Sequence, residues 1–327
     1  MSNTSYQQLT PECQLDALAS IGIYPDTGLL ALNSYENRVF SFTDEHQQRY
    51  VVKFYRPERW SEQQLLEDHA FCQYLSEADL QLSSPLNIEG KTLHSFAGYY
   101  FALFENLSAR TLAVDDVDSL YEVGIALGKL HKAGAQHQFK ARPSLQVNET
   151  IQTAIEQLKS CEHIPDSIHS QVFETLQSLY YKITTKKLPK ANMIAIHGDA
   201  HASNILLKEG QPYWVDFDDC KMGPAIQDIW MLLNGDRNEQ LLQISMILEG
   251  YQEEYEFEPE QLAYIEVLRT LRMINYAAWI HNRWQDPAFS SNFPWFITEQ
   301  YWKEWLQSLQ QQLVLLDEAP LMLQPHY

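Results

Sequence analysis

The chain has 327 residues, 45% of them hydrophobic, with 23 basic against 43 acidic side chains and a formal net charge of −20. That apolar share supports a real core and excludes a disordered chain. The charge excludes nucleic acid and anionic membrane as general partners, because phosphate is repelled unless a local cation or metal ion meets it.

Cys13, Cys72, Cys161 and Cys220 lie far apart with no C-x-x-C pair. A disulfide framework or structural zinc site is therefore not expected, and a reducing compartment fits. No Lys or Arg precedes Arg38. No apolar run approaches the ~20 residues of a membrane span. Neither an export signal nor a membrane anchor is expected, and the location read from the sequence is cytoplasmic.

In chain order, residues 29–32, 38–42 and 49–54 read as strands, the last two joined by a polar turn. Ser61 suits the N-cap of a helix over 62–75, with Leu65, Leu66, Phe71 and Leu75 on one face. Strands over 91–96 and 99–104 turn at Ala97-Gly98, which gives about five strands and one inserted helix. From Leu107 the pattern is helical. Leu120, Val123, Leu127 and Leu130 predict a helix ending near Gly134, and its Gly124 and Gly128 point to close packing against another element. Helices over 150–159 and 167–184 follow. Short strands at 193–196, 205–207 and 213–216 come next, with a turn at 209–212. Helices resume at 227–233, 239–253, 260–284 and 298–316. The predicted class is α+β and bilobal: a β-rich N-lobe over 1–107 with the phosphate loop, and a mainly helical C-lobe over 108–327 with the catalytic loop and acceptor site.

The segment His197-Gly198-Asp199-Ala200-His201-Ala202-Ser203-Asn204, followed by Asp216-Phe217-Asp218, carries most of the chemistry. The kinase loop H-R-D-x-x-x-x-N spaces its Asp and Asn identically, with D-F-G downstream. Phosphoryl transfer needs a carboxylate for the attacking hydroxyl's proton, and an amide and a second carboxylate for Mg²⁺ at the phosphates of ATP. Asp199 takes the first role; Asn204 and Asp216 take the others. An alternative reads His197, Asp199 and His201 as alternating metallohydrolase ligands, but it leaves Asn204 and Asp216 unused.

Upstream, Lys53 near the end of its strand matches the lysine that kinases place on the α/β-phosphates. Glu67 on the next helix is its expected partner, with Asp68 as the alternative. The loop 33–38 should meet the phosphates. It has no glycine, since none occurs between Gly28 and Gly90, so Ser34 would supply the small residue; a plain hairpin turn is the other reading. Glu105, Asn106 and Leu107 should form a hinge whose backbone meets adenine, or a simple linker. Arg269, Arg272, Tyr276, Trp279 and Arg283 share a helix face, as an acceptor wall or as arginine stems packed on aromatics. The acidic run 253–258 reads as a solvated helix end or a lure for a basic substrate.

H-G-D-x-H-x-x-N with D-F-D resembles the aminoglycoside phosphotransferase and choline kinase superfamily. Segments 32–39, 52–60, 223–228 and 292–295 resemble its stress-response branch of bacterial protein kinases, over nearly the whole chain. The resemblance implies a kinase-like fold and ATP-dependent phosphorylation of protein Ser/Thr, this chain included. It implies Asp199 as base, Asn204 and Asp216 as Mg²⁺ ligands, a nucleotide contact at Ser34, and Asp228 as a buttress of the catalytic loop. A monomer is expected. Few residues separate Asp216 from the next helix and no A-P-E follows, so a long activation loop has no room. Small-molecule kinases of the superfamily share that feature, which keeps a small alcohol such as homoserine, choline or an aminoglycoside-like compound open as acceptor.

Overall fold

A computed structural model describes residues 6–107, 109–113 and 116–322. They form two compact units. The first joins the described residues up to Pro143 with Met193–Phe257; the second joins Ser144–Asn192 with those from Glu258 on. The division expected near Leu107 falls inside the first unit.

The first unit opens with α1 (Pro11–Ala19), a helix not anticipated above. Thr10 caps it by accepting from the Cys13 amide at 3.2 Å, and proline at N1 supplies a preset φ. An antiparallel sheet follows, in the order β1 (Leu30–Ala31), β2 (Arg38–Thr43), β3 (Arg49–Phe54), β5 (Tyr99–Glu105), β4 (His94–Phe96). Side chains alternate across it. Val52 and Phe54 join Leu18, Phe42, Phe101 and Leu103 in one apolar cluster. Lys53, opposite Ala102, therefore turns to the other face, where Ala102 clusters with Tyr55, Leu65 and Leu93.

That face is covered by α2 (Glu62–Glu77), opened by a capping box between Ser61 and Gln64. Its buried stripe differs from the predicted one: Leu66 is exposed, and Asp68, His69 and Cys72 are inside. Polar residues on the core side of a helix weaken an apolar pattern, and here they mark the site.

The short β6 (Arg110–Thr111) precedes α3 (Val117–Gly134). The next helices, α4 (Val147–Leu158) and α5 (Asp166–Thr185), belong to the second unit. The chain then returns through β7 (Ile194–Ile196), β8 (Ile205–Lys208), β9 (Gln211–Trp214) and β10 (Lys221–Gly223). β8 pairs with β6 and β9, whereas β7 pairs with β10. The third predicted strand ends at Trp214, two residues early, because Asp216 turns the chain. After α6 (Ile226–Ile229), α7 (Arg237–Tyr251) packs on α3 as the glycines foretold: a Cβ on Gly124 would lie 2.1 Å from the Ile247 carbonyl oxygen.

In the second unit, a 3₁₀ turn over Pro259–Tyr264 replaces the start of the predicted helix and leads into α8 (Ile265–Arg283), followed by α9 (Pro287–Asn292) and α10 (Glu299–Leu315). Trp279 packs edge-on against Phe289 and Phe293, and Arg269 pairs with Glu266 at 3.3 Å on the same helix. Among the described residues no helix is long and apolar enough to cross a membrane.

Candidate functional site

The D-F-D motif owes its shape to its middle residue. Phe217 is buried against the rings of His197, at 4.5 Å, and Phe71, at 6.1 Å. Asp216 takes a left-handed backbone, φ 63° and ψ 67°, followed by a 3₁₀ turn over Phe217–Asp219. Aspartate is among the few non-glycine residues that enter this region readily, and here its carboxylate and that of Asp218 both meet Lys53.

Lys53 Nζ reaches both carboxylates, donating to Asp216 Oδ1 at 2.8 Å and Asp218 Oδ1 at 2.7 Å. Burial opposes the lysine's charge, but the two aspartates outweigh it and hold its pKa well above the ordinary value. Burial would likewise raise the Asp218 carboxyl; Lys53 and then Arg59 outweigh that and keep it well below the usual carboxylate range. The Asp216 side chain is 43% exposed against 5% for Asp218, so Asp216 is the one open to a ligand.

Around them, Asn37 Nδ2 donates to Asp218 Oδ2, and Asn37 Oδ1 accepts from the Arg56 amide at 3.1 Å. Arg59 Nη2 contacts both oxygens of Asp219 at 2.9 Å. In the loop between β1 and β2, Arg56 Nε donates to the Glu36 carbonyl at 3.0 Å and Nη2 to that of Tyr35 at 3.3 Å. Arginine forks thus shape a loop that lacks glycine. Ser34 lies half-buried within it.

Asp199 stands in the turn after β7. Asn204 Nδ2 donates to its carbonyl at 2.9 Å, and His201 Nε2 lies 3.4 Å from its Oδ2. The Val215 amide donates to the Asn204 carbonyl at 3.0 Å, which ties the approach to Asp216 to the same turn. Gly198 explains why this loop reads H-G-D. Its φ is +86°, and a Cβ would lie 2.1 Å from the Asp219 carbonyl oxygen, so the two segments touch backbone to backbone. Beneath them Asp228, fully buried, accepts from the His197 and Gly198 amides, each at 2.8 Å, and lies 3.1 Å from His131 Nε2. This is the geometry expected of a buttress.

One expectation needs correction. Glu67 does not meet Lys53; its carboxylate accepts from the backbone amides of Lys140, Ala141 and Arg142 at 2.8–3.0 Å. Glu67 and Asp68 are one residue, hence about 100°, apart on the helix, and it is Asp68 that faces the buried cluster, where burial lifts its carboxyl to about 7. The metallohydrolase alternative, set aside on the sequence, gains nothing from the structure. Both His197 ring nitrogens face backbone, the Val215 carbonyl and the Asp199 amide. Among the described residues no three His, Cys, Asp or Glu side chains gather as a metal site.

Glu105 is exposed at the end of β5, and Asn106 and Leu107 are half-buried as the chain leaves the sheet. Asp218, Asn37, Arg59 and Arg142 were given no role above. The spacing of Asp218 from Asp216, two residues flanking a buried phenylalanine, was the one available signal.

Residues 28–265 match the model of the phosphotransferase enzyme family. Stress response kinase A of Escherichia coli (strain K12) is 40% identical over 329 residues, 100% of each chain. Serine/threonine protein kinase RdoA of Salmonella typhimurium is 41% identical over 323 residues, 99% of this chain and 98% of its own. Of solved structures, amicoumacin kinase hAmiN in complex with AMP-PNP, Ca²⁺ and Ami superposes with a TM-score of 0.73 at 21% identity, covering 95% of this chain and 96% of that one. A microcompartment-associated aminopropanol kinase gives 0.72 at 16% identity, covering 92% and 97%. These likenesses show the kinase-like α+β fold.

Proposed function

The chain belongs to the phosphotransferase enzyme family, and we propose that it transfers the γ-phosphoryl group of Mg-ATP to serine or threonine hydroxyls of proteins, its own chain included. The observation that carries phosphoryl transfer is Lys53 held between Asp216 and Asp218, with Asp199 and Asn204 in the adjoining turn. The protein acceptor is supported by the names of the relatives that match this chain along its length.

Mg²⁺ fits the oxygens present. The Asn204 amide spends its nitrogen on the Asp199 carbonyl, so Oδ1 is what it has to offer, and Asp216 presents a half-exposed carboxylate. One or two such oxygens plus substrate phosphates are the usual protein share of a Mg²⁺ site. The bound ion would neutralise charge on the phosphates. Lys53 contributes a fixed cation for them, and the β1–β2 loop with Ser34 offers backbone amides. Asp199 orients the acceptor hydroxyl in line with the γ-phosphate and takes its proton on a carboxylate oxygen.

The test is incubation of the purified chain with labelled ATP and Mg²⁺, alone and with panels of proteins and of small alcohols. Label on protein serine or threonine is the expected result. Homoserine, choline or an aminoglycoside turning over with kcat/KM far above any protein would reverse the choice of acceptor.

A further inference from the structure

We infer that Arg142 is a positioning residue for Asp216, and that with Glu67 it forms the mechanical link between α2 and the D-F-D segment. The inference rests on the phosphotransferase reading above and adds to it.

Gln64 and Glu67 sit one turn apart on α2 and grip the same loop. Glu67 accepts from three successive backbone amides, 140 to 142, and Gln64 Nε2 donates to the Ala141 carbonyl at 3.0 Å. The loop therefore moves with the helix. At its end Arg142, 5% exposed, reaches into the D-F-D segment. Its Nε donates to the Cys220 carbonyl at 3.0 Å and its Nη2 to the Asp218 carbonyl. The next residue continues the contact, since the Pro143 carbonyl accepts from the Met222 amide at 2.9 Å. Positions 218, 220 and 222 are thus all held from one side, beginning two residues beyond Asp216.

This arrangement is built for placement. A buried guanidinium costs desolvation energy, and a carboxylate hydrogen-bonded to its fork would offset more of it than a carbonyl does. Arg142 has the carboxylates of Asp68, Asp218 and Asp219 near enough to favour its charge, yet it spends its hydrogen bonds on neutral carbonyls, lies 4.1 Å from the Trp60 ring centroid, and leaves Nη1 without a partner among the described residues. What the fork supplies is two rigid donors matched to two carbonyls two residues apart, which a lysine cannot reproduce. The left-handed turn at Asp216 leads straight into the segment that the fork holds, so the placement of the carboxylate follows from it. Protein kinases tie their helix to the site through a Lys–Glu ion pair and order the metal-binding segment through a phosphorylated activation loop. Here the helix carboxylate binds backbone, and the arginine at the end of that loop holds the segment.

The experiment compares wild type, Arg142→Lys, Glu67→Gln and the double variant in phosphoryl transfer and in Mg²⁺-dependent binding of AMP-PNP, with thermal unfolding alongside. Displacing a catalytic group by ~1 Å costs about 10²-fold. Arg142→Lys is therefore expected to lower kcat ~10- to 100-fold and to raise the Mg²⁺ needed for half-maximal activity, with the nucleotide KM moving much less. Glu67→Gln shifts the same two quantities by less, and the double variant is no worse than Arg142→Lys, because both residues act through one frame. Folded variants with an unchanged Mg²⁺ midpoint, or additive losses in the double variant, would overturn the link. Should Arg142→Lys not fold, Glu67→Gln alone decides by its Mg²⁺ midpoint. Should wild type transfer no phosphate at all, the proposed function fails, while the Mg²⁺ dependence of AMP-PNP binding in the same variants still decides the link.

Discussion

Lys53 Nζ and Asp218 Oδ1 meet at 2.7 Å across 165 positions of sequence. The same carboxylate also takes Asn37 from the β1–β2 loop, so one side chain fixes both the lysine and that loop. Asp218→Asn keeps the shape and removes the charge. Lys53 is left with Asp216 alone, and Arg59, 3.9 Å from Asp218, loses one of its carboxylates. Unpairing a buried ion costs about 3–5 kcal/mol when a partner is deleted, and the amide offers one acceptor to two donors, Lys53 Nζ and Asn37 Nδ2, so the loss should fall in that range. Urea unfolding and the nucleotide KM both report it, and no change in either would show that Asp218 does not anchor the lysine.

Asp199→Asn tests the base. The amide preserves the turn and cannot take a proton, so kcat should fall ~10²–10⁴-fold. AMP-PNP affinity should stay within a few-fold of wild type. Near-normal turnover would remove Asp199 from the mechanism.

What the sequence shows and hides follows from range. Lys53 was legible because the strand that carries it and the helix that follows are local, and because the H-G-D motif, though distant, is recognisable by itself; Asp199, Asn204 and Asp216 were legible because their spacing lies within one stretch of chain. Asp218, Asn37 and Arg59 were not, because their meaning lies only in contacts 160 or more positions away, with no motif of their own to announce it. Glu67 was misplaced by one helical step. Nothing near it announces that the loop at 140–142 returns to α2 with three amides exposed to it. In the fold, α1 and α9 were missed because each is a short helix set by a cap and a proline rather than by apolar period.

Asp216→Ala and Asn204→Ala should both raise the Mg²⁺ required for activity, Asp216→Ala more. A carboxylate brings formal charge to a hard cation, and an amide brings a dipole. A Mg²⁺ titration of each variant checks the order, and unchanged dependence in both would exclude them as ligands.

Two glycines separate backbone strain from contact. Gly198, at φ +86°, has the Asp219 carbonyl oxygen 2.1 Å from where a Cβ would stand; Gly210, at φ +82°, has nothing within 4 Å. Gly210→Ala should cost only the left-handed penalty, about 1–2 kcal/mol. Gly198→Ala must also push the catalytic turn off the D-F-D segment, so its unfolding midpoint and kcat should both fall well below those of Gly210→Ala. Equal effects would mean that the two segments do not depend on touching.

His69 gives a pH signature. It is buried on α2 between the Tyr55 hydroxyl at 2.8 Å and Thr92 Oγ1 at 2.9 Å. Burial, and then the charge of Lys53, press its pKa from 6.5 down to about 4. The folded value lies below the unfolded one, so the unfolded chain takes up the proton first as pH falls. The stabilisation is complete above pH 6.5 and is lost between 6.5 and 4, up to about 3 kcal/mol at about 1.36 kcal/mol per pH unit. Asp68 beside it works in the opposite sense: raised from 3.8 to about 7 by burial, its carboxyl gains stability as pH falls through that range. The two nearly cancel in wild type, so the signal is the difference from His69→Gln, whose amide has a donor and an acceptor for the same two hydroxyls and does not titrate. Relative to wild type, the variant should gain stability as urea unfolding moves from pH 7 to pH 4.5. Parallel pH profiles would mean that His69 keeps an ordinary pKa in the folded chain.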